Sequence, residues 1–179
     1  IDAVTNDEIE TIAKASALTK LNVIPVDPGP FTKCLMNTKY GSSHVGQGKK
    51  VFFAIGSVSK TTIGQIENLV ATKSPALVKV NPLKLIDDEQ IDQEVERVLH
   101  IIEGKLKLNQ SNIVGITTTT REDEVLNLSE LSEKLGMDEE AISVKINKGL
   151  AKITELALEL SNSSIGALYT SGGDVTMEV

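Results

Sequence analysis

Val51-Phe52-Phe53-Ala54-Ile55-Gly56-Ser57-Val58-Ser59-Lys60-Thr61-Thr62 decides the fold. Its first five residues are continuously apolar, the pattern of a strand buried on both faces, and such strands belong to parallel sheets covered by helices. The apolar run breaks at a Gly-Ser-Val-Ser turn, after which Ile63, Ile66, Leu69 and Val70 recur at helical spacing. Strand, glycine-serine turn and helix form the first half of a βαβ unit.

The same alternation continues downstream. Leu77–Val80 reads as a short strand, Asp87–Glu103 as a helix with Ile91, Val95, Val98, Leu99 and Ile102 on one face, and Asn112–Thr118 as a strand. Leu128–Leu135 reads as a helix stopped by Gly136. A long helix follows from about Asp138 to Leu160, with Ile142, Ile146, Leu150, Ile153, Leu156 and Leu160 inward. Ile165–Thr170 is the last strand. The expected fold class is α/β, a three-layer sandwich whose mainly parallel sheet is covered by helices on both faces.

Upstream, Thr5 and Glu8 have capping-box spacing and open an amphipathic helix to about Thr19. Val23–Val26 reads as a strand near an edge because of Pro25, and Asp27-Pro28-Gly29-Pro30-Phe31-Thr32 as a turn into a helix that Pro30 opens. Residues 41–50 hold three glycines and two serines without apolar periodicity, the pattern of a linker. The expected organisation is a piece of one domain over 1–40, a linker over 41–50 and a second domain over 51–179.

The 179 residues are 40% hydrophobic and 24% charged, an ordinary globular composition. With 18 basic against 25 acidic residues, a net charge of -7, no Trp and 3% aromatics, nucleic-acid binding is disfavoured, since it needs a basic stripe or stacking rings. No apolar run approaches the roughly 18 residues of a membrane span, so no membrane partner is expected. One cysteine, Cys34, leaves no internal disulfide, which fits a reducing compartment, and cytoplasmic is the default reading. The start without Met and the close of the chain soon after its last strand read as cuts in a longer protein.

In an open parallel sheet, ligands lie outside the carboxyl ends of the strands. Three turns there carry chemistry. Gly56-Ser57-Val58-Ser59 brings amides, hydroxyls and a helix start to one spot suited to phosphate oxygens, or is simply a serine-rich helix cap. Thr170-Ser171-Gly172-Gly173-Asp174 lets a phosphate or ribose approach the backbone, with Asp174 able to hold magnesium through water, or is a plain turn. Asp27–Thr32 has the same form, or is a structural Pro-Gly turn. Four threonines, Thr117–Thr120, read as a strand end entering a loop. His44 and His100 have no ligand spacing with each other or with Cys34, so no resident metal is expected. Asp87-Asp88-Glu89 is what a helix dipole favours, and Glu122-Asp123-Glu124 reads as a solvated loop.

The order of strand, Gly56-Ser57-Val58-Ser59, a helix containing Thr62 and Gln65, and a late strand ending in Ser171-Gly172-Gly173-Asp174 resembles the C-terminal nucleotide-binding domain of the four-carbon acid sugar kinase family. Asp2-Ala3-Val4-Thr5 with Asp7, and Pro25–Thr32, resemble the end of that family's N-terminal, substrate-binding domain. The resemblance implies phosphorylation of threonate, erythronate or 3-oxo-tetronate with ATP and Mg2+. It implies ATP contacts at Gly56, Ser57, Ser59, Ser171, Gly172, Gly173, Asp174 and Val175, and substrate contacts at Asp27, Gly29 and Thr32. Val175 stands where members commonly have a small hydroxyl residue. The family's Asp-rich substrate motif and its last glycine-containing segment are absent, so the chain reads as an incomplete kinase, inactive by itself. No catalytic residue is identified, and homo-oligomerisation is left open. The rival reading is a nucleotide- or anion-binding regulatory or interaction module without turnover, and a third is a purely structural domain.

Overall fold

Thr5 opens the first helix of the computed structural model: its hydroxyl accepts the Glu8 amide while the Glu8 carboxylate accepts the Thr5 amide at 3.0 Å, so two otherwise orphaned donors are satisfied. The described residues are 2–19, 21–25, 29–41 and 49–179. The chain divides into two units, Ile1–Gln47 and Gly48–Val179.

In the first unit α1 (Asn6–Leu18) packs with α2 (Pro30–Tyr40), burying Ala13 and Leu35. Pro30 stands at the first position of α2, where its missing N–H removes no helical bond. The strand expected over Val23–Val26 is corrected: residues 23–25 belong to no strand, and Val26 lies outside the described residues. A strand needs a neighbour to ladder with, and the described part of this unit offers only two helices, while Pro25 has no N–H to give. Asp27 and residues 42–48 of the expected linker also lie outside the described residues. Lys50, counted with that linker from sequence, is the first residue of a strand. Its amide donates to the Ser164 carbonyl, and its buried ammonium donates to the Asn109 side chain and the Ser111 carbonyl, both at 2.6 Å.

The second unit is built on four parallel strands, β1 (Lys50–Ile55), β2 (Ala76–Lys79), β3 (Ile113–Thr117) and β4 (Ile165–Ser171), in the order β2-β3-β1-β4. Alternation along β1 sends Phe53 and Ile55 against Ile66 of α3 (Lys60–Lys73) on one face. Phe52 and Ala54 go to the other face with Val98 and Ile102 of α5 (Ile91–Leu108) and Leu150 and Ile153 of α7 (Glu139–Leu160). Helices therefore flank the sheet on both faces, and its centre is the core. β4 is the exception: at the edge, Gly166–Tyr169 are exposed, Tyr169 by 55%.

Helix ends follow side-chain caps. Asn81 caps α4 (Pro82–Ile86), Asn127 caps α6 (Leu128–Leu135), Gly136 ends α6 at φ 62°, and Asp138 caps α7 by accepting the Ala141 amide at 2.7 Å. Two expectations shift. The helix expected from Asp87 starts at Ile91, because the Asp87 carboxylate turns the chain by accepting the Glu89 amide, and it continues to Leu108. Leu160, expected inward, lies at the last residue of α7 and is 44% exposed. No helix among the described residues is long and apolar enough to cross a membrane.

The topology prepares a crevice. The chain leaves β1 into α3 on one face, whereas β3 leads to α6 and α7, and β4 leads to α8 (Gly173–Glu178), which packs on α7. Paths that part to opposite faces beside a central strand leave space at its carboxyl end.

Candidate functional site

That space holds a cavity of about 290 Å³. Its floor is the junction between the turn after β1 and the turn after β4. The Ser171 carbonyl accepts both the Gly56 amide, at 2.9 Å, and the Ser57 amide, at 3.2 Å, which ties the two turns together. Gly172 has φ 108°, in the range that favours glycine, and a Cβ on it would stand 3.1 Å from the Ser57 nitrogen. At Gly56 a Cβ would collide with the Val175 side chain, which is buried against it and near Leu150. At Gly173 a Cβ would meet no atom within 4 Å. The first two glycines are thus required by packing, whereas the protein leaves the space beside the third open.

The sequence-assigned residues separate accordingly. Gly56, Ser57, Gly172, Gly173, Asp174 and Val175 line this one cavity. Ser59 is not among its lining residues: its hydroxyl caps α3, accepting the Thr62 amide at 3.2 Å, and the hydroxyls of Ser57 and Ser59 both bond that of Thr62 at 2.9 Å. Ser171 contributes its carbonyl to the floor, while the residue borders a separate groove with Thr62, Gln65 and Tyr169 beside α3. Because Gly56 and Ser57 already give their amides to Ser171, the amides at hand are those of Val58, Gly173 and Asp174, which donate to no carbonyl among the described residues. Gly29 and Thr32 lie in the other unit, Gly29 before α2 at φ 124° with its carbonyl accepting the Lys33 amide, and Thr32 in its first turn.

Other walls were not legible as a site. Thr118 and Thr119 line the cavity at the end of β3, and Thr119 is held by the Thr117 hydroxyl on its carbonyl and by its own hydroxyl on the Arg121 carbonyl. The run of threonines was the available signal. The chain then makes a 3-10 turn (Glu122–Glu124) and presents Val125, Leu126 and Leu128. Glu124 anchors this turn, accepting from Lys79 at 2.6 Å and from the Thr120 amide at 2.9 Å. Those donors, Lys79 first, bring its carboxyl down to about 2. Ser143, Ile146 and Asn147 of α7 complete the lining.

Among the described residues no group of three or more His, Cys, Asp or Glu gathers to hold a metal. Asp174 is the carboxylate beside the glycine turn, and His100 is exposed on α5. Chemically, the lining combines amides that donate to no carbonyl among the described residues, and a glycine with open space beside it, with the aliphatic side chains of Val125, Leu126, Leu128 and Ile146.

Residues 52–179 match the nucleotide-binding C-terminal domain family. The whole chain is 36% identical to a protein of Heliobacterium modesticaldum named D-erythronate kinase, of whose length it spans 40%. No solved structure matches the chain.

Proposed function

The chain belongs to the four-carbon acid sugar kinase family, carrying its nucleotide-binding C-terminal domain, and we propose that its second unit holds ATP for phosphorylation of a hydroxyl on a small four-carbon sugar acid. The observation that carries this reading is the open space at Gly173 beside unpaired amides, where the turns after β1 and β4 meet. A phosphate chain fits a surface of main-chain donors with no side chain in the way. The amides of Val58, Gly173 and Asp174 bind its oxygens, and Ser57 lies within the same lining. Asp174 is the residue that would hold magnesium, directly or through water, and the ion's role when bound is to neutralise charge on the phosphates.

The remaining assignments follow the family. Residues 1–40 are the end of the substrate-binding domain, with Asp27, Gly29 and Thr32 as the contacts to the sugar acid, and the stretch from 41 up to β1 connects the two domains. Phosphoryl transfer then depends on holding donor and acceptor in line, a positioning effect worth roughly 7 to 11 kcal/mol of the barrier. Erythronate, the substrate in the relative's name, is the first acceptor to test. The full-length protein is assayed for ADP release with erythronate, threonate and related acids, in parallel with calorimetry of ADP binding. Release with one of these acids supports the kinase. Binding without release from any acid supports the non-catalytic module, and no binding refutes both.

A further inference from the structure

We propose that Thr62, which is not among the cavity's lining residues, is a positioning residue for the nucleotide: its hydroxyl donates to Ser57 Oγ and so turns the Ser57 proton toward a phosphate oxygen. The inference rests on the nucleotide reading above and goes beyond it by naming a residue that acts on the ligand only through another.

The geometry comes from the start of α3. Thr62 is the third residue of that helix, and helical side chains tilt toward the amino end, so its hydroxyl is carried back to the turn from which the helix begins. There Thr62 Oγ1 stands 2.9 Å from Ser57 Oγ and 2.9 Å from Ser59 Oγ, and among the described residues these are the only hydrogen-bond partners of its hydroxyl. The three hydroxyls differ in their surroundings. Thr62 is buried, 8% exposed, Ser59 is exposed at the helix cap, and Ser57 lines the cavity. The Ser57 backbone is already fixed, because its amide donates to the Ser171 carbonyl, so rotation of its side chain is what remains to be set.

Counting protons decides the direction. Each hydroxyl has one, so three hydroxyls joined by two bonds leave one proton over, and its place is the variable. If Thr62 accepts from both serines, the spare proton is its own, buried with no acceptor among the described residues, which is costly. If Ser57 donates to Thr62 and Thr62 to Ser59, the spare proton is at Ser59, and Ser57 turns only lone pairs to the cavity, where they repel a phosphate. If Ser59 donates to Thr62 and Thr62 to Ser57, the spare proton is on Ser57 at the cavity, and the bond that Ser57 accepts strengthens the one it makes. An anionic oxygen selects this last arrangement through a charge-assisted bond. Ser59 is suited to the far end of the relay, since its oxygen accepts the Thr62 amide at 3.2 Å while its proton is free for the Thr62 hydroxyl.

Calorimetry of ADP with magnesium on the full-length protein tests this as a double-mutant cycle of Ser57→Ala and Thr62→Val, with Thr62→Ser beside it. Each of Ser57→Ala and Thr62→Val is expected to weaken ADP about five- to tenfold, the worth of one hydrogen bond. Thr62→Ser, which keeps the hydroxyl, is expected to stay within about twofold of wild type. In the Ser57→Ala background, Thr62→Val is expected to change the affinity by less than about twofold, because Thr62 then has nothing left to orient. Where Thr62→Val does not fold, Thr62→Ala, which removes the hydroxyl without adding bulk, takes its place in the cycle. A purely structural Thr62 gives losses that add to that of Ser57→Ala, and this overturns the proposal, as does unchanged ADP affinity in either single variant or a Thr62→Ser protein as weak as Thr62→Val. A wild-type protein that binds no ADP overturns the nucleotide reading itself, and the role of Thr62 with it.

Discussion

A Cβ on Gly172 would stand 3.1 Å from the backbone nitrogen of Ser57, so the turns after the first and last strands touch through their main chains. The contact follows from register. Ile55 pairs with Ser171 across the parallel ladder, and each strand ends within a residue of that pair. Two turns that leave neighbouring parallel strands at the same height must share a floor, which is why residues so distant in sequence line one cavity.

Gly172 and Gly173 should therefore respond differently to alanine. At Gly172, φ of 108° and the close Ser57 nitrogen make Gly172→Ala unfavourable by about 1 to 3 kcal/mol in denaturant unfolding. At Gly173 nothing opposes a methyl group, so Gly173→Ala should hold or slightly raise stability, by up to about 1 kcal/mol, while weakening ADP binding measured by calorimetry. A Gly173→Ala protein with unaltered ADP affinity would count against phosphate binding at this turn.

Gly56 and Val175 form a second pair, since the Val175 side chain occupies the space a Cβ on Gly56 would need. Gly56→Ala alone should cost about 1 to 3 kcal/mol by overpacking, and Val175→Ala roughly 2 kcal/mol through lost burial. Together they should cost less than the sum, because the second change makes room for the first. Strict additivity in unfolding free energies would show that the two do not compete for this space.

Much of this was readable beforehand, and the limits have physical causes. A continuous apolar run identified β1, and 3.6-residue periodicity identified α5 and α7, because those patterns report burial directly; β4 was read as a strand too, but its residues Gly166–Tyr169 are exposed at the sheet edge. Glycines at the ends of β1 and β4 marked the cavity floor. Asn147 and Leu126 gave no signal, since a single amide on a helix face and an aliphatic residue in a loop look the same whether or not a cavity lies beside them. The burial of Glu94 was also illegible, because one of its partners is the Asn81 amide, and only the fold brings that amide within reach.

Glu94 and Arg97 support a prediction of their own. The Glu94 side chain is 1% exposed and accepts from the Asn81 amide at 2.7 Å and from Arg97 at 2.6 and 2.8 Å, whereas Arg97 is 42% exposed. Burial pushes the Glu94 carboxyl up, but hydrogen bonds from Arg97 and Asn81 outweigh it and hold the group below its ordinary value. Arg97→Met leaves a buried carboxylate without its cation and should cost about 3 to 5 kcal/mol at neutral pH. With the cation gone, burial dominates and the carboxyl moves up, so the deficit should shrink as pH falls and the group takes a proton. Unfolding midpoints of both proteins at pH 7 and pH 4.5 check this, and a deficit that grows on acidification would refute it.

Glu124 gives the clearest pH signature, because Lys79 at 2.6 Å and the Thr120 amide bring its carboxyl from 4.5 to about 2. A group whose folded value lies below its unfolded value binds fewer protons when folded, so it contributes stability above about 4.5 that disappears progressively as pH falls toward about 2. Part of the effect is screened, since the Lys79 side chain is 47% exposed, and the contribution should decline with added salt. In Glu124→Gln the neutral amide keeps an acceptor for Thr120 but loses both the charge and the titration. Wild type should therefore be more stable than the variant at pH 6, with the gap narrowing through pH 3. Comparing the two proteins cancels carboxylates common to both, Glu94 included. Parallel stability profiles between pH 6 and pH 3 would mean that the Lys79–Glu124 contact does not form in solution, and the turn presenting Val125 and Leu126 would then lack its anchor.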